Sequence, residues 1–279
     1  MMPPSGAVLT PSDLERFARD GYVVVRSAFS PDDAREMESR WWSELASRHG
    51  VQGGDPSTWR RILGDLKAAK HDPIQERILT PTVGGVLDQL LGEGAWSPPR
   101  DWGRPLVTFP EPGPWEPPTR LWHWDSPCEL HLDRPIALFV VSFIGEVRPR
   151  SGGTLILSGS SRLLLQQARR SPTGAGRGPA GKPWDMFHRS HPWLASLTGL
   201  APSPADRIAA FMDRETIVDG VPLRVVELTG QPGDMVFCHP SIVHCSAANR
   251  GLRPRFMRIK QQLLTREGRE RSARLNRPD

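Results

Sequence analysis

The sequence predicts an α+β protein with a mainly β core, a double-stranded β-helix of the jelly-roll or cupin-like kind flanked by N-terminal helices. Helix-start signals dominate the first third of the chain, and short strands with turn signals dominate the rest. The chain is rich in turn-forming residues, with 26 Gly and 29 Pro. A continuous apolar run over 136–143 is typical of a strand covered on both faces, as in a sandwich core.

The helices are predicted from their start signals and their apolar spacing. Thr10-Pro11-Ser12-Asp13 has a Thr cap, Pro at the first helical position and an acid three residues after the cap. Ser30-Pro31-Asp32-Asp33 repeats this signature. Apolar residues at helical spacing predict further helices within 56–92, around 192–200 and around 204–212.

The strands are predicted from β-favouring runs between turns. The 136–143 run is the most apolar of them. The other predicted strands cover 22–25, 106–109, 154–157, 223–228, 235–238, 242–245 and 255–264.

A chain of 279 residues can form one elaborated domain or two small ones. We find no repeat and no clear linker, which favours a single domain over 9–264, after a flexible leader over 1–8. A region over 162–215 is predicted as an insert between core strands, with its polar, Gly- and Pro-rich part over 166–182 acting as a lid. The basic tail over 265–279 is expected to be disordered.

Composition bounds the function classes. The net charge is +5, of which the 265–279 tail contributes +2 through five Arg against three acids. No basic helix, zinc finger or RNA-reading motif accompanies this positive charge, so we expect no nucleic-acid partner. No apolar run reaches the roughly 18 residues of a membrane span, and no signal segment is evident, so a cytoplasmic protein is expected. Cys128, Cys238 and Cys245 form no Cys-x-x-Cys pair and are predicted to stay reduced.

The residues Leu-Trp-His-Trp-Asp over 121–125 predict a metal site. On a β-strand, His123 and Asp125 would face one side, and the two tryptophans would face the other. Two histidines and one carboxylate on one face, with open positions opposite, are typical of non-heme Fe(II) oxygenases. The pattern therefore predicts that His123 and Asp125 bind a divalent metal with a second histidine, for which His244 is the best candidate.

Other histidines are weaker candidates. His131 and Asp133 form a second His-x-Asp triplet, although the neighbouring Arg134 favours a solvated strand end. His239 precedes a proline and favours a turn position or a role beside the ligands. The histidines at 188 and 191 lie near the predicted lid, where a surface position is the default and substrate contact is the alternative.

Three stretches together resemble the phytanoyl-CoA dioxygenase family of Fe(II)/2-oxoglutarate oxygenases. Their order and spacing span most of the chain. They are Asp20-Gly21-Tyr22-Val23-Val24 within 14–25, Trp122-His123-Trp124-Asp125, and a third that runs from Pro232-Gly233-Asp234 through His239-Pro240, His244, Ser246 and Asn249-Arg250 to Pro254-Arg255. One departure is Ser158-Gly159-Ser160-Ser161, where the family reads Pro-Gly-Ser-His; it bears on loop shape or substrate contacts rather than on the metal ligands.

The resemblance implies an enzyme that uses Fe(II), 2-oxoglutarate and O2 to hydroxylate an unactivated carbon of a small molecule, with release of succinate and CO2. It implies that His123, Asp125 and His244 bind iron. It also implies that Arg255 pairs with the distal carboxylate of 2-oxoglutarate, helped by Ser246, while a looser alignment places Thr108 in contact with the same molecule. Arginine suits this task because it is permanently charged and binds a carboxylate bidentately. Because Asp125 is a carboxylate where related halogenases carry a small residue, hydroxylation is favoured over halogenation.

Two alternatives stay open at this point. A cupin-like metal-dependent isomerase or a zinc hydrolase could use a similar cluster without 2-oxoglutarate, and a non-catalytic binding protein could share the fold. No sequence motif identifies the substrate. An apolar molecule with an anionic group is suggested by Trp102, Trp115 and the basic loop over 169–182. The oligomeric state cannot be predicted from the sequence.

Overall fold

A computed structural model describes residues 7–60, 66–125, 135–170 and 183–275 of the chain. Helices lie at both ends of the described chain and in an insert between strands. Their bounds are α1 Pro11–Asp20, α2 Pro31–His49, α3 Lys67–His71, α4 Pro81–Leu91, α5 Ser160–Arg170, α6 Pro183–Arg189, α7 Pro192–Leu197, α8 Arg207–Phe211 and α9 Arg266–Leu275, with short 3-10 turns at Pro56–Thr58 and Pro73–Ile78.

The strands form two antiparallel sheets. They are β1 Tyr22–Val25, β2 Arg104–Thr108, β3 Ala137–Phe143, β4 Thr154–Ser158, β5 Thr216–Val218, β6 Val221–Glu227, β7 Met235–Cys238, β8 His244–Ser246 and β9 Arg255–Leu263. The larger sheet has the order β1-β7-β3-β9-β2, and the smaller one has the order β5-β6-β4-β8. The prediction of an α+β protein with antiparallel strands is confirmed.

The apolar run of β3 is buried along its whole length because layers cover both of its faces. Phe139 and Val141 pack with residues such as Ile156 of the smaller sheet, so one face lines the space between the sheets. Leu138 and Val140 pack on the other face against the N-terminal helices. The strand is therefore the doubly covered core strand that its composition predicts.

The predicted helix caps are present. Thr10 and Asp13 form a reciprocal capping box at the start of α1, which ends at Gly21 with a left-handed φ of 84°. Ser30 caps α2 by accepting the backbone N–H groups of Asp32 and Asp33. Local side-chain chemistry thus sets the start of both helices, as predicted.

Two segments are more regular than expected. The 166–170 part of the predicted lid continues α5, and the 266–275 part of the predicted disordered tail is the helix α9. The start of α9 is anchored because Thr265 donates its N–H to the carbonyl of Ala95 at 2.8 Å and accepts the N–H of Gly268 at 3.0 Å. An Arg266–Glu270 pair of the i,i+4 type also supports this helix.

Several sequence predictions lie outside the described residues. These are the 1–6 part of the predicted leader over 1–8, the His131–Asp133 triplet, Cys128, the 171–182 part of the predicted lid and the last four residues. Val8, at the end of that leader, is anchored because it donates its backbone N–H to the Gln89 side chain at 2.8 Å. Cys238 and Cys245 are buried free thiols whose pKa burial raises, consistent with reduced cysteines. Within the described ranges, none of the helices is both long and apolar enough to cross a membrane.

Strand β5 pairs with β6 in a hairpin and was not predicted from the sequence. The turn residues Asp219 and Gly220 both have positive φ, at 49° and 78°. An Asp-Gly pair between β-branched residues is a strong hairpin signal, so this strand was predictable.

Candidate metal centre

His244 is held rigidly at the start of β8. It pairs with Ile156 of β4, and Ile156 belongs to the apolar cluster between the sheets. The imidazole therefore projects into the space between the sheets, where the ring of Phe139 stacks on it with centroids 4.4 Å apart and planes 25° from parallel. Burial lowers the pKa of His244, as does the neighbouring His123, which keeps the ring neutral and able to donate a lone pair to a metal.

His123 and Asp125 lie on irregular backbone, so the prediction of a regular strand here is wrong. The backbone of His123 exchanges two hydrogen bonds with His244, at 2.9 and 2.7 Å, and within 117–125 the pairing is limited to this single bridge. Leu121 just before it has a left-handed φ of 67°, which takes the chain out of strand geometry.

The predicted alternation of side chains nevertheless holds along this segment. Trp122 and Trp124 are 3% and 6% exposed and pack into an apolar cluster behind the smaller sheet. The side chains of His123 and Asp125 stay 44% and 32% exposed on the opposite side. Burial of the two indoles therefore turns both candidate ligands toward His244.

The three candidate ligands converge. Nε2 of His123 lies 3.6 Å from one carboxylate oxygen of Asp125, and Nε2 of His244 lies 3.7 Å from the other. One donor atom from each residue lies within 4.8 Å of the other two. Among the described residues, this is the group of His, Cys, Asp and Glu side chains that could hold a metal ion.

Both imidazoles are oriented by the backbone. In each case Nδ1 lies at hydrogen-bond distance from the carbonyl two residues earlier, 2.7 Å to Leu121 for His123 and 3.1 Å to Ile242 for His244. A carbonyl can only accept, so Nδ1 carries the proton and Nε2 presents its lone pair. Such outer hydrogen bonds fix the tautomer and orientation of metal-binding histidines.

Arg255 lies at the start of β9, and its side chain enters the same space between the sheets. Met257, two residues on, lines that space, so alternation places Arg255 on the same face. The guanidinium is 3% exposed, and it donates to the hydroxyl of Thr108 at 2.6 Å and to the carbonyl of Gly152 at 2.5 Å. Thr108 is also the register partner of Arg255 across the β2–β9 pair.

One hydrogen-bond donor of Arg255 has no partner among the described residues. Its Nε is buried and makes no hydrogen bond to any described residue. Burial lowers the pKa of Arg255 to about 10, against the opposing influence of Glu227, so the group is still charged at neutral pH. Glu227 also accepts the backbone N–H groups of Arg150 at 2.7 Å and Gly153 at 3.1 Å, which holds the turn beneath the guanidinium. An incoming carboxylate would satisfy the donor and stabilise the charge.

The other residues predicted to contact 2-oxoglutarate or substrate differ in where they lie. Ser246 shares the face of His244 on β8 but is exposed, and it is not among the described hydrogen-bond partners of Arg255. Trp102 is 2% exposed and its backbone N–H donates to Gln75, so it belongs to the core under the helices and not to an approach to the site. Trp115 is half-buried, with Arg150 5.9 Å from its ring centroid.

The remaining histidines stand apart from the ligand group. Nδ1 of His239 accepts the N–H of Ser241 in the turn after β7, which fits the predicted turn position. Nδ1 of His191 accepts the N–H of Trp193 and caps α7, and His188 is a buried residue of α6. Phe139 and Glu227 were not predicted as site residues, because nothing in a core run or an amphipathic strand marks the one residue that faces a site.

Comparison with known proteins supports the fold. No family model matches the chain, and no curated protein matches it. Among solved structures, it is similar to the non-heme alpha ketoglutarate dependent carbocyclase SnoK from nogalamycin biosynthesis, with 16% identity, a TM-score of 0.53, and coverage of 94% of this chain and 87% of that one. It is also similar to AviO1 from Streptomyces viridochromogenes Tue57, with 14% identity, a TM-score of 0.52, and coverage of 94% and 96%. At these identities the likeness establishes a shared fold.

Proposed function

We propose that the protein is a non-heme Fe(II)- and 2-oxoglutarate-dependent oxygenase that hydroxylates an unactivated carbon of a small molecule. The convergence of His123, Asp125 and His244 carries this proposal, because two imidazoles and one carboxylate form the donor set typical of such enzymes. The fold shared with SnoK agrees with it, since that protein is described as a non-heme alpha ketoglutarate dependent enzyme. On this proposal, the two antiparallel sheets are the two halves of a double-stranded β-helix.

The donor set fits a resident Fe(II). Nε2 of His123, Nε2 of His244 and a carboxylate oxygen of Asp125 would hold the ion, and each imidazole already has its Nδ1 engaged by a carbonyl. The stacked ring of Phe139 excludes water from one side of His244. The Asp125 carboxylate occupies the third ligand position, which favours hydroxylation over halide transfer.

The surroundings of Arg255 fit 2-oxoglutarate. We propose that its guanidinium binds the distal carboxylate, that the Thr108 hydroxyl contacts the same group, and that Ser246 lines the approach. Buried Nε supplies a donor that no described residue uses. When bound, Fe(II) and 2-oxoglutarate supply the oxidation of a carbon by O2, with release of succinate and CO2; the protein supplies orientation, exclusion of water and the fixed positive charge.

The substrate is proposed as an apolar molecule with an anionic group. Trp115 and the neighbouring Arg150 support this proposal with an aromatic surface beside a cation. Trp102 does not support it, because it is buried in the core under the helices. A substrate panel in which only neutral or cationic molecules stimulated turnover would contradict the proposed anionic group.

The decisive experiment is anaerobic reconstitution of the protein with Fe(II) and 2-oxoglutarate. The readout is the weak visible charge-transfer absorption of the chelate. We expect the band in the wild type and its loss in His123→Ala and in Arg255→Met. Arg255→Met should keep its iron content, because the arginine is not a metal ligand. Arg258→Met is the matched control, because Arg258 is a buried arginine on the same strand whose partners are Ala69 and Gln75, under the helices.

The outcomes separate the alternatives. Folded, iron-loaded wild type without the band would favour a cupin-like isomerase or a hydrolase that does not use 2-oxoglutarate. Folded wild type that binds no metal would favour a non-catalytic binding protein. Turnover of 2-oxoglutarate that survived Arg255→Met would show that the role assigned to this arginine is wrong.

A further inference from the structure

The segment that precedes the candidate ligands is held at its ligand end by the His123–His244 bridge and by the two buried indoles, so the position of its first residues requires another explanation. We define the ligand arm as residues 117–125, which end in His123 and Asp125. One internal tie is the indole N–H of Trp122, which donates to the carbonyl of Pro118 at 2.7 Å. This bond holds the arm to itself but does not attach it to the rest of the protein.

Arg207 provides that attachment. This residue begins α8 in the insert, and it is 3% exposed. Its guanidinium donates to the carbonyls of Pro117 at 2.8 Å and Pro118 at 3.2 Å, which belong to the ligand arm. The same group donates to the carbonyls of Ser196 at 3.3 Å and Leu197 at 2.8 Å, at the end of α7, and to a Ser203 hydroxyl at 2.7 Å.

The guanidinium has five N–H groups, and each makes one of these five bonds. All five partners are neutral oxygens, and the ring of Phe211 lies 4.8 Å from the guanidinium carbon. A buried cation among neutral partners is costly compared with an apolar side chain. Helix packing alone does not require such a group. A planar cation with five donors can, however, hold two backbone segments together at one point, here 117–118 and 196–197.

A second contact joins the same two parts of the molecule. Gly199, after α7, has a left-handed φ of 74°, and a Cβ placed on it would lie 3.0 Å from both Cβ and the carbonyl oxygen of Thr119. The backbone of the ligand arm therefore rests directly on a glycine of the insert. No larger residue fits there without displacing Thr119.

We propose that Arg207 is a positioning residue for the metal centre. It fixes the ligand arm to helices α7 and α8 and so sets where His123 and Asp125 stand relative to His244. The inference rests on the proposed metal-binding function. On this account, the 192–212 part of the insert is a fixed support and not part of a lid, because its movement would break the two buried hydrogen bonds from Arg207 to Pro117 and Pro118 and the packing of Gly199 on Thr119.

The test is a titration of the apoprotein with Co²⁺. Binding is monitored by the visible absorption of the bound Co²⁺ and by the rise in melting temperature on metal addition. We expect Arg207→Met to bind Co²⁺ roughly 10- to 100-fold more weakly than the wild type, the loss typical when an outer support of a metal ligand is removed. Arg207→Lys, which can restore some of the bonds, should give an intermediate affinity. Arg258→Met again serves as the control, because Arg258 is also buried, bonded to neutral oxygens and 5.5 Å from an aromatic ring, but under the N-terminal helices. It should lose stability and keep the wild-type affinity for Co²⁺.

A glycine pair tests the same inference without changing a charge. Gly199→Ala should weaken Co²⁺ binding, because its methyl group pushes against Thr119. Gly220→Ala is its control, because Gly220 has a similar φ of 78° but no atom within 4 Å of the place that its new methyl group would occupy. Both alanines carry the same backbone strain, so a difference in Co²⁺ affinity reports the contact with the ligand arm.

The outcomes distinguish the two levels of the proposal. If the folded wild type binds no Co²⁺, the metal centre itself is wrong. If the wild type binds Co²⁺ and folded Arg207→Met binds it equally well, the metal centre stands and the positioning role is wrong. Should Arg207→Met fail to fold, Arg207→Lys and Gly199→Ala decide, and wild-type affinity in both would overturn the inference.

Discussion

The two sides of the candidate metal centre are built differently. His244 lies on β8, paired with β4, and its side chain is 7% exposed. His123 and Asp125 lie on the irregular ligand arm, with side chains 44% and 32% exposed. One side is therefore held by the ladder of a sheet and by core packing, whereas the other is held by a single bridge and by side-chain bonds.

As a result of this difference, the ligand on the strand is rigidly held, and the ligands on the irregular arm are accessible to solvent. A strand positions a side chain through repeated backbone bonds and needs no special residue, but it leaves little room beside the ligand. An irregular arm leaves its ligands open, but it must be tied by particular side chains, here the packed indole of Trp122 and the guanidinium of Arg207. A molecule that approaches the cluster from solvent meets His123 and Asp125 before His244, because of these exposures.

The first test of this structural difference removes one histidine on each side of the candidate metal centre. We expect His244→Ala and His123→Ala both to reduce metal-dependent turnover to background, because each removes a ligand. Their apoproteins should differ, since only His244 is packed in the core. His244→Ala should lower the free energy of unfolding by about 1–3 kcal/mol, and His123→Ala should change it by less than about 0.5 kcal/mol. Urea unfolding of the metal-free proteins measures this, and equal losses would show that the two sides are not mechanically distinct.

A smaller effect tests the packed side alone. Phe139→Leu removes the ring that stacks on His244 and should lower the free energy of unfolding by about 1–2 kcal/mol. Metal affinity should fall by less than roughly tenfold, because the ring stacks on His244 but is not one of its hydrogen-bond partners, whose loss costs roughly tenfold or more. Phe143→Leu, on the same strand and in the same cluster, should cost similar stability and leave the metal affinity unchanged. Identical metal affinities in the two variants would show that stacking does not hold His244.

The smallest effect concerns the backbone of the open side. Leu121 is 79% exposed and has a φ of 67°, so its side chain adds strain with little packing. Leu121→Gly should raise the free energy of unfolding by up to about 1 kcal/mol, after the greater freedom of glycine in the unfolded chain is counted. Leu252→Gly is the control, because Leu252 is 91% exposed and has no positive φ. It should be neutral or slightly destabilising in the same urea measurement, and a Leu121→Gly variant that behaved no better would contradict the strain.

Local chemistry explains which parts of the fold were predictable. The caps at Thr10 and Ser30 act on backbone groups within three residues, and both helices start where the caps predict. The apolar run of β3 needed cover on both faces, and it has that cover. The helix α9 was not predictable from its own polar sequence, because its start is anchored by a hydrogen bond from Thr265 to the distant carbonyl of Ala95.

For the candidate site, the role of Arg255 was implied by the family resemblance. The local pattern of residues alone predicted the set of two histidines and one carboxylate and the alternation of Trp122 and Trp124 with two of these candidate ligands. These follow from side-chain chemistry and from the period of an extended chain, which act over a few residues. Long-range packing set the irregular backbone of the ligand arm, the bond between Arg255 and Thr108, and the bonds by which Arg207 ties the arm to the insert. Those contacts join residues about 90 to 150 positions apart, and their geometry depends on how two sheets and an insert pack, which no local pattern encodes.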